Sequence, residues 1–212
     1  KWGCKVALKY SDVLDVLMTR ALRLGLIDKT SGNPDAAELE LYMFQGLLDI
    51  VELVDMPAFM HHDENMMVTA SGLADYAMPD DFGRLIYPRV QNRRGIYIYD
   101  TFQNVDLEYV DPNVFSRKIS LINKKPTTFT VMERRLWLYP TPDANGTSNY
   151  TVRGIYIIAV EKPDLDDAVL FGFPTVLIDI ALSRLAADIG KQVQALSATR
   201  EEISARLLAG SR

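Results

Sequence analysis

The sequence predicts an α+β protein: N- and C-terminal helices form a helical bundle, with an antiparallel β-sandwich or barrel-like region inserted between them. Two observations carry this expectation. Apolar residues recur at helical spacing from Val13 to Val51 and again from Phe171 to Leu207. Between those stretches lie short runs rich in Val, Ile, Tyr and Phe, separated by Pro, Gly and Asn turns. The expected boundaries are 1–65 for the leading helices, 66–162 for the inserted β domain and 163–212 for the closing helices. With 212 residues, 48% of them hydrophobic, the chain can bury a substantial core.

The first helix is expected to start at a Ser11 cap, with Val13, Leu14, Leu17, Met18, Ala21 and Leu22 as its stripe, and to end at Gly25. Asn33-Pro34 reads as a cap followed by proline at the first helical position. The second helix then runs through Leu41, Phe44, Leu48, Val51 and Asp55 to Met56-Pro57. A short polar loop between the two implies an antiparallel pair. The stretch Met67–Leu85 organises the chain, marking its change from helix to strand. Val68 and Tyr76 flank a Ser71-Gly72 turn, and Pro79-Asp80-Asp81-Phe82 leads into a strand.

Strands are expected over Arg84–Val90 and Gly95–Phe102 around an Asn92–Gly95 hairpin, and over Val114–Ile122. A second hairpin joins Thr127–Met132 to Leu136–Tyr139 around Glu133-Arg134, and a long strand spans Tyr150–Val160. Pro163 with Asp164, Asp166 and Asp167 marks a helix start, where carboxylates complement the dipole. That helix carries Phe171, Ile178, Leu182, Leu185 and Ile189, widened by Leu177, Ile180 and Ala181 to an almost all-round apolar surface. After Gly190 a last helix reaches about Leu208 with a thin Leu196, Ile203, Leu207 stripe.

The formal net charge of −5 argues against a protein that grips nucleic acid by neutralising phosphates. Cys4 is the one cysteine, so no internal disulfide can form and a reducing compartment is expected. No run approaches the roughly twenty apolar residues that span a bilayer, and no signal peptide is visible. The expectation is a soluble protein made in the cytoplasm.

Neither a phosphate-binding loop nor a nucleophile elbow is present in the sequence. His61-His62-Asp63-Glu64 is the one cluster with metal-ligand chemistry, read here as a solvated loop between helix and strand. No catalytic residue, cofactor or metal is assigned. Arg89, Arg93 and Arg94, near the first hairpin tip with Tyr87, Tyr97 and Tyr99, form a basic patch. It suits a nucleic-acid backbone, an acidic protein neighbour or a solvated loop, the last two better matching a net charge of −5. Arg134-Arg135 at the second hairpin are similar turn charges, and these five arginines are the candidates for contacting a neighbouring protein. Lys124-Lys125 is a similar turn charge, and Asn145-Gly146 a plain turn.

The Gly72, Tyr76, Pro79, Asp81-Phe82 and Arg84 pattern, inside a helix–sheet–helix order, resembles the head-to-tail adaptor proteins of tailed bacteriophages. The resemblance covers nearly the whole chain and rests more on segment order than on any one residue. It implies a structural virion protein rather than an enzyme, located in the neck between capsid and tail and in the host cytoplasm before assembly. Its implied partners are the portal protein, the next tail or neck protein and further copies of itself. About twelve copies would form a ring, closed by head-to-tail contacts. Double-stranded DNA would pass through the channel without sequence-specific binding, which an acidic lumen would favour. Arg200, Arg206 and Arg212 are the portal-contact candidates, because terminal segments serve there in the family. The alternatives are another neck or tail component (a tail terminator or fibre-docking protein) and a virion-associated cell-wall hydrolase.

Overall fold

The computed structural model describes residues 8–27, 36–88, 93–100, 103–117, 123–143, 149–169 and 174–190. The protein is of mixed α+β class. The described residues fall into two compact units, one drawn from Lys1–Val54 and Val160–Arg212 and the other from Asp55–Ala159.

In the first unit, α1 (Tyr10–Arg23), α2 (Ala36–Leu53) and α4 (Pro174–Asp188) pack on one another. The N-cap of α1 is Lys9 and not Ser11, and its N–H donates to the Asp12 carboxylate at 2.9 Å. The next two amides find carbonyls outside the helix: Tyr10 N–H donates to Asp167 O and Ser11 N–H to Leu165 O. Lys9 also bridges to Asp166 at 2.9 Å. The cluster Asp164–Asp167 therefore does not open the helix that comes after it in sequence. It lies in a loop folded back on the start of α1, so the acids complement a different helix dipole from the one expected.

Helix α1 ends in a Schellman motif: Leu26 N–H donates to Ala21 O and Gly25 N–H to Leu22 O, with Gly25 at φ 64°. The buried face of α2 is Leu39, Tyr42, Met43, Leu47, Ile50 and Val51, while Leu41 and Leu48 are exposed. The buried stripe is thus rotated from the expected one. Gly46 explains the choice of face. A Cβ there would sit 3.2 Å from the Leu177 side chain, so its absence lets α4 approach this side.

Helix α4 buries Val176, Leu177, Ile178, Ala181, Leu182, Leu185 and Ala186. Ile189, expected on that face, is exposed. The polar residues interrupting α4 are used between helices. Asp179 pairs with Arg20 at 3.1 Å, and Arg184 forks onto both oxygens of Asp49. The Tyr42 hydroxyl donates to Asp188, whose proximity pushes that phenol up to about 12. Phe171, the Asn33-Pro34 cap, Asn145-Gly146, Cys4 and the helix expected after Gly190 lie outside the described residues.

The second unit is built on one sheet rather than two packed ones. Its eight strands run in the order β1-β8-β4-β5-β6-β7-β2, curled into a half-barrel, with β3 on β8. The strands are β1 Met60–Val68, β2 Asp75–Ala77, β3 Phe82–Leu85, β4 Arg93–Asp100, β5 Gln103–Tyr109, β6 Thr128–Met132, β7 Arg135–Tyr139 and β8 Thr151–Ile158. His61–Glu64 is thus strand and not loop.

The hairpin expected between β3 and β4 does not form. One edge of β8 pairs with β1, and the other pairs with β4 through Thr151–Gly154 and then with β3 through Tyr156–Ile158. Strand β5 was not anticipated. The expected strand over Val114–Ile122 opens instead as a short helix, α3 (Pro112–Phe115), capped by the Asp111 carboxylate on Asn113 N–H. The excursion through α3 lets β6 return parallel to β5, the one parallel pair among the described strands. The β6–β7 hairpin forms as expected, with Glu133 and Arg134 at φ 51° and 57°, a two-residue turn of primed type.

Strands β1 and β2 stand at opposite ends of the sheet order yet are joined by the Ser71-Gly72 turn, which ties the curl. Buried Tyr76 holds that turn: its hydroxyl accepts from Ala70 N–H at 3.0 Å and donates to Leu73 O at 2.7 Å. The concave core comprises Tyr76, Met78, Phe82, Ile96, Ile98, Leu107, Phe129, Leu136, Leu138, Tyr150, Val152 and Tyr156.

Gly95 sits at an irregularity in the β4–β5 register with φ 79°, and a Cβ there would lie 2.5 Å from Ile155 O. Gly95→Ala should therefore cost about 2–4 kcal/mol in urea unfolding. Gly25→Ala meets no neighbour within 4 Å and carries only left-handed strain, about 1 kcal/mol.

Candidate functional site

The Pro79–Phe82 turn brings together the most tightly linked polar cluster of the sheet unit. Phe82 N–H donates to Pro79 O, closing the turn, and Ala159 N–H donates to Asp81 O at 2.7 Å. The Asp81 carboxylate receives His61 Nδ1 at 2.8 Å from β1 and the Tyr156 hydroxyl at 2.8 Å from β8. Tyr156 is buried, and Phe82 packs its ring at 5.6 Å.

Asp81 is held below its ordinary range: burial, the largest single influence, acts upward, but the hydrogen bonds from Tyr156 and His61 together outweigh it. Burial and the Asp81 carboxylate push the Tyr156 phenol far above its usual value. A depressed, fully engaged carboxylate is a poor general acid, and a phenol so raised is a poor nucleophile. The cluster clamps strand, turn and strand.

A second clamp lies beside it. Asp55, beyond the end of α2, accepts from Arg84 Nη1 and from Tyr87 N–H, each at 2.8 Å. Arg84 also lies over the Tyr87 ring at 4.6 Å. The motif residues Asp81, Phe82 and Arg84 thus hold the entry to the sheet.

Adjacent histidines on a strand project to opposite faces. His61 goes to Asp81 and Tyr156, whereas His62 Nε2 meets the Tyr97 hydroxyl. The two rings cannot share an ion, and among the described residues no group of three metal-ligating side chains converges.

The arginine candidates separate. Arg93 lies within β4, not at a hairpin tip, and pairs with Asp106 at 2.8 Å. Arg94 stacks over Tyr109 at 4.2 Å, with its Nε buried and unpartnered. Arg134, at the β6–β7 turn, donates to Asp80 O at 2.9 Å, and Arg135 pairs with Asp75 at 2.5 Å. Arg89, Arg200, Arg206 and Arg212 lie outside the described residues.

Sequence reasoning missed Arg153, on the convex face of β8 over the Tyr99 ring at 3.9 Å. Strict alternation through Val152, Gly154 and Tyr156 would have placed it there.

This geometry defines a structural module, with its most tightly linked polar chemistry spent on clamps. The chain belongs to the SU10 adaptor protein family, whose model matches residues 10–211. This is a family of phage head-to-tail adaptors, structural proteins and not an enzyme class. No curated protein matches the sequence. Among the described residues, no helix is long and apolar enough to cross a membrane.

The clamp has a pH signature. A carboxylate depressed on folding stabilises above its unfolded value, about 4, and that contribution is lost as pH falls through the folded one. Asp81→Asn should lower the melting temperature by about 2–4 °C at pH 7, and the gap to wild type should close in acid. Tyr156, raised on folding, stabilises fully below pH 10.0 and progressively less as pH rises beyond it. Tyr156→Phe should therefore flatten the alkaline loss in a melting series across pH 9 to about 11.

Proposed function

We propose that the chain is a neck protein that docks beneath the portal and links capsid to tail. The observation that carries this is the family match across almost the whole chain, helices and sheet together. In this reading the helices at the two ends of the sequence act as one domain that engages the portal, with Arg200, Arg206 and Arg212 in the contact. The inserted sheet domain faces the next tail component. About twelve copies form a ring by head-to-tail contacts, matching the portal. DNA passes through its channel without sequence-specific contact, which an acidic chain favours.

Of the arginines proposed for the tail-side contact, Arg94 and Arg134 are the strongest. Arg94 has no carboxylate partner among the described residues, and Arg134 stands exposed at a hairpin turn with only a backbone acceptor. Arg93 and Arg135 already serve internal ion pairs.

Light scattering with and without purified portal rings tests the reading. The expected result is about twelve chains per portal ring, and no co-assembly would count against it. Among variants that fold like wild type, Arg206→Glu should weaken portal binding about tenfold or more.

A further inference from the structure

The convex face of the sheet carries a cation that the fold leaves unused. Arg153 is half-buried on β8, opposite Tyr97 in register, with its guanidinium over Tyr99. Its Nε is buried without a hydrogen-bond partner, and its terminal nitrogens make no hydrogen bond or ion pair among the described residues. By contrast, Arg20, Arg84, Arg93, Arg135 and Arg184 each meet a carboxylate. A planar guanidinium stacked on tyrosine is oriented in advance, with its edge N–H groups available for a planar oxyanion. Tyrosine and arginine side by side, largely shielded from water, are also the composition of interface hot spots.

The surroundings restrict the ligand. Burial is the main influence raising the phenol of Tyr97; Arg153 acts against it, and Glu64 and Asp106 add to it. Asp106 is already paired with Arg93, so the single guanidinium of Arg153 suits one compact carboxylate, and the chain's net charge of −5 disfavours a polyphosphate strand. A second copy of this chain supplies such groups, since its 28 acids exceed its 23 Lys and Arg. Exposed Asp15, Glu133, Glu161 and Asp164 have no ion pair with a cation among the described residues.

We propose that the Arg153–Tyr99 stack, flanked by Tyr97 and His62, is a contact between copies of this chain and receives a surface carboxylate of the neighbouring copy. The proposal deepens the ring reading above, on which it rests for its setting.

Two measurements on the full chain test it: sedimentation velocity of the free protein at rising concentration, and titration onto portal rings. Arg153→Ala should weaken self-association and cooperative filling about tenfold or more. Arg153→Lys, which keeps charge and stem but lacks the fork, should fall between, and unchanged circular dichroism excludes misfolding. A variant that fills the portal as cooperatively as wild type overturns the proposal while leaving the portal reading intact. If wild type ignores the portal but its self-association is lost in Arg153→Ala, the contact stands and the portal reading fails. If wild type neither self-associates nor binds portal, both fail. Binding of a single-stranded oligonucleotide that disappears in Arg153→Ala would assign the stack to nucleic acid and also overturn the proposal.

Discussion

Strand β8 is the constraint on which the sheet unit depends. Both of its edges are occupied along its length, by β1 on one side and by β4 and β3 on the other. Its inward residues Val152, Gly154 and Tyr156 form the floor of the core. Gly154 matters by its smallness: a Cβ there would lie 2.8 Å from Met66 Sδ and 3.1 Å from Ile96 Cδ1. Met66 belongs to the irregular part of β1, where the register slips between Asp63 and Met67. The slip lets a thioether fold over the bare backbone of β8. Tyr156 then extends the same strand's influence to the Pro79–Phe82 turn through Asp81. Each fully buried side chain of this kind contributes about 1.5–3 kcal/mol relative to exposure, which makes β8 the natural centre of the sheet's stability.

The α+β class was legible, as were the first two helices, the β6–β7 hairpin and the long final strand. Each of these has a local cause: apolar periodicity, or turn residues suited to left-handed backbone. Partner choice was not legible. β3 and β4 read as a hairpin because a Gly-containing turn separates two β-rich runs, yet both bind β8, far away in sequence. Asp164–Asp167 has the chemistry of a helix start, but nothing local says which helix it serves. Strand β5 was overlooked although Val105, Leu107 and Tyr109 alternate with Asn104, Asp106 and Glu108. Asp111-Pro112, just before the expected Val114–Ile122 strand, is a cap followed by proline and so has the pattern of a helix start. On α2, Leu41 and Leu48 were as plausible as Leu39 and Leu47. Only the α4 approach at Gly46 selects between them.

The site was legible in one respect and hidden in another. Asp81, Phe82 and Arg84 stood out in sequence, and the structure shows them as clamps joining β1, β3, β8 and Asp55. Arg93 and Arg135 looked like free charges because their carboxylates lie on other strands. Arg153 looked unremarkable because only the folded sheet reveals that it stacks on Tyr99 and meets no acid. Among the described residues most arginines meet carboxylates within the fold, and the few cations left without one stand out against them. The SU10 adaptor family gives that geometry its setting, a structural part of a phage particle.

The most direct measurement is a cryo-electron microscopy reconstruction of the virion neck. The expected result is density for the half-barrel sheet unit between portal and tail, repeated around the channel, with the convex face of β4 and β8 against the adjacent copy. Density for this chain elsewhere in the particle would contradict the neck assignment. A ring in which Arg153 and Tyr99 face solvent would contradict the contact between copies.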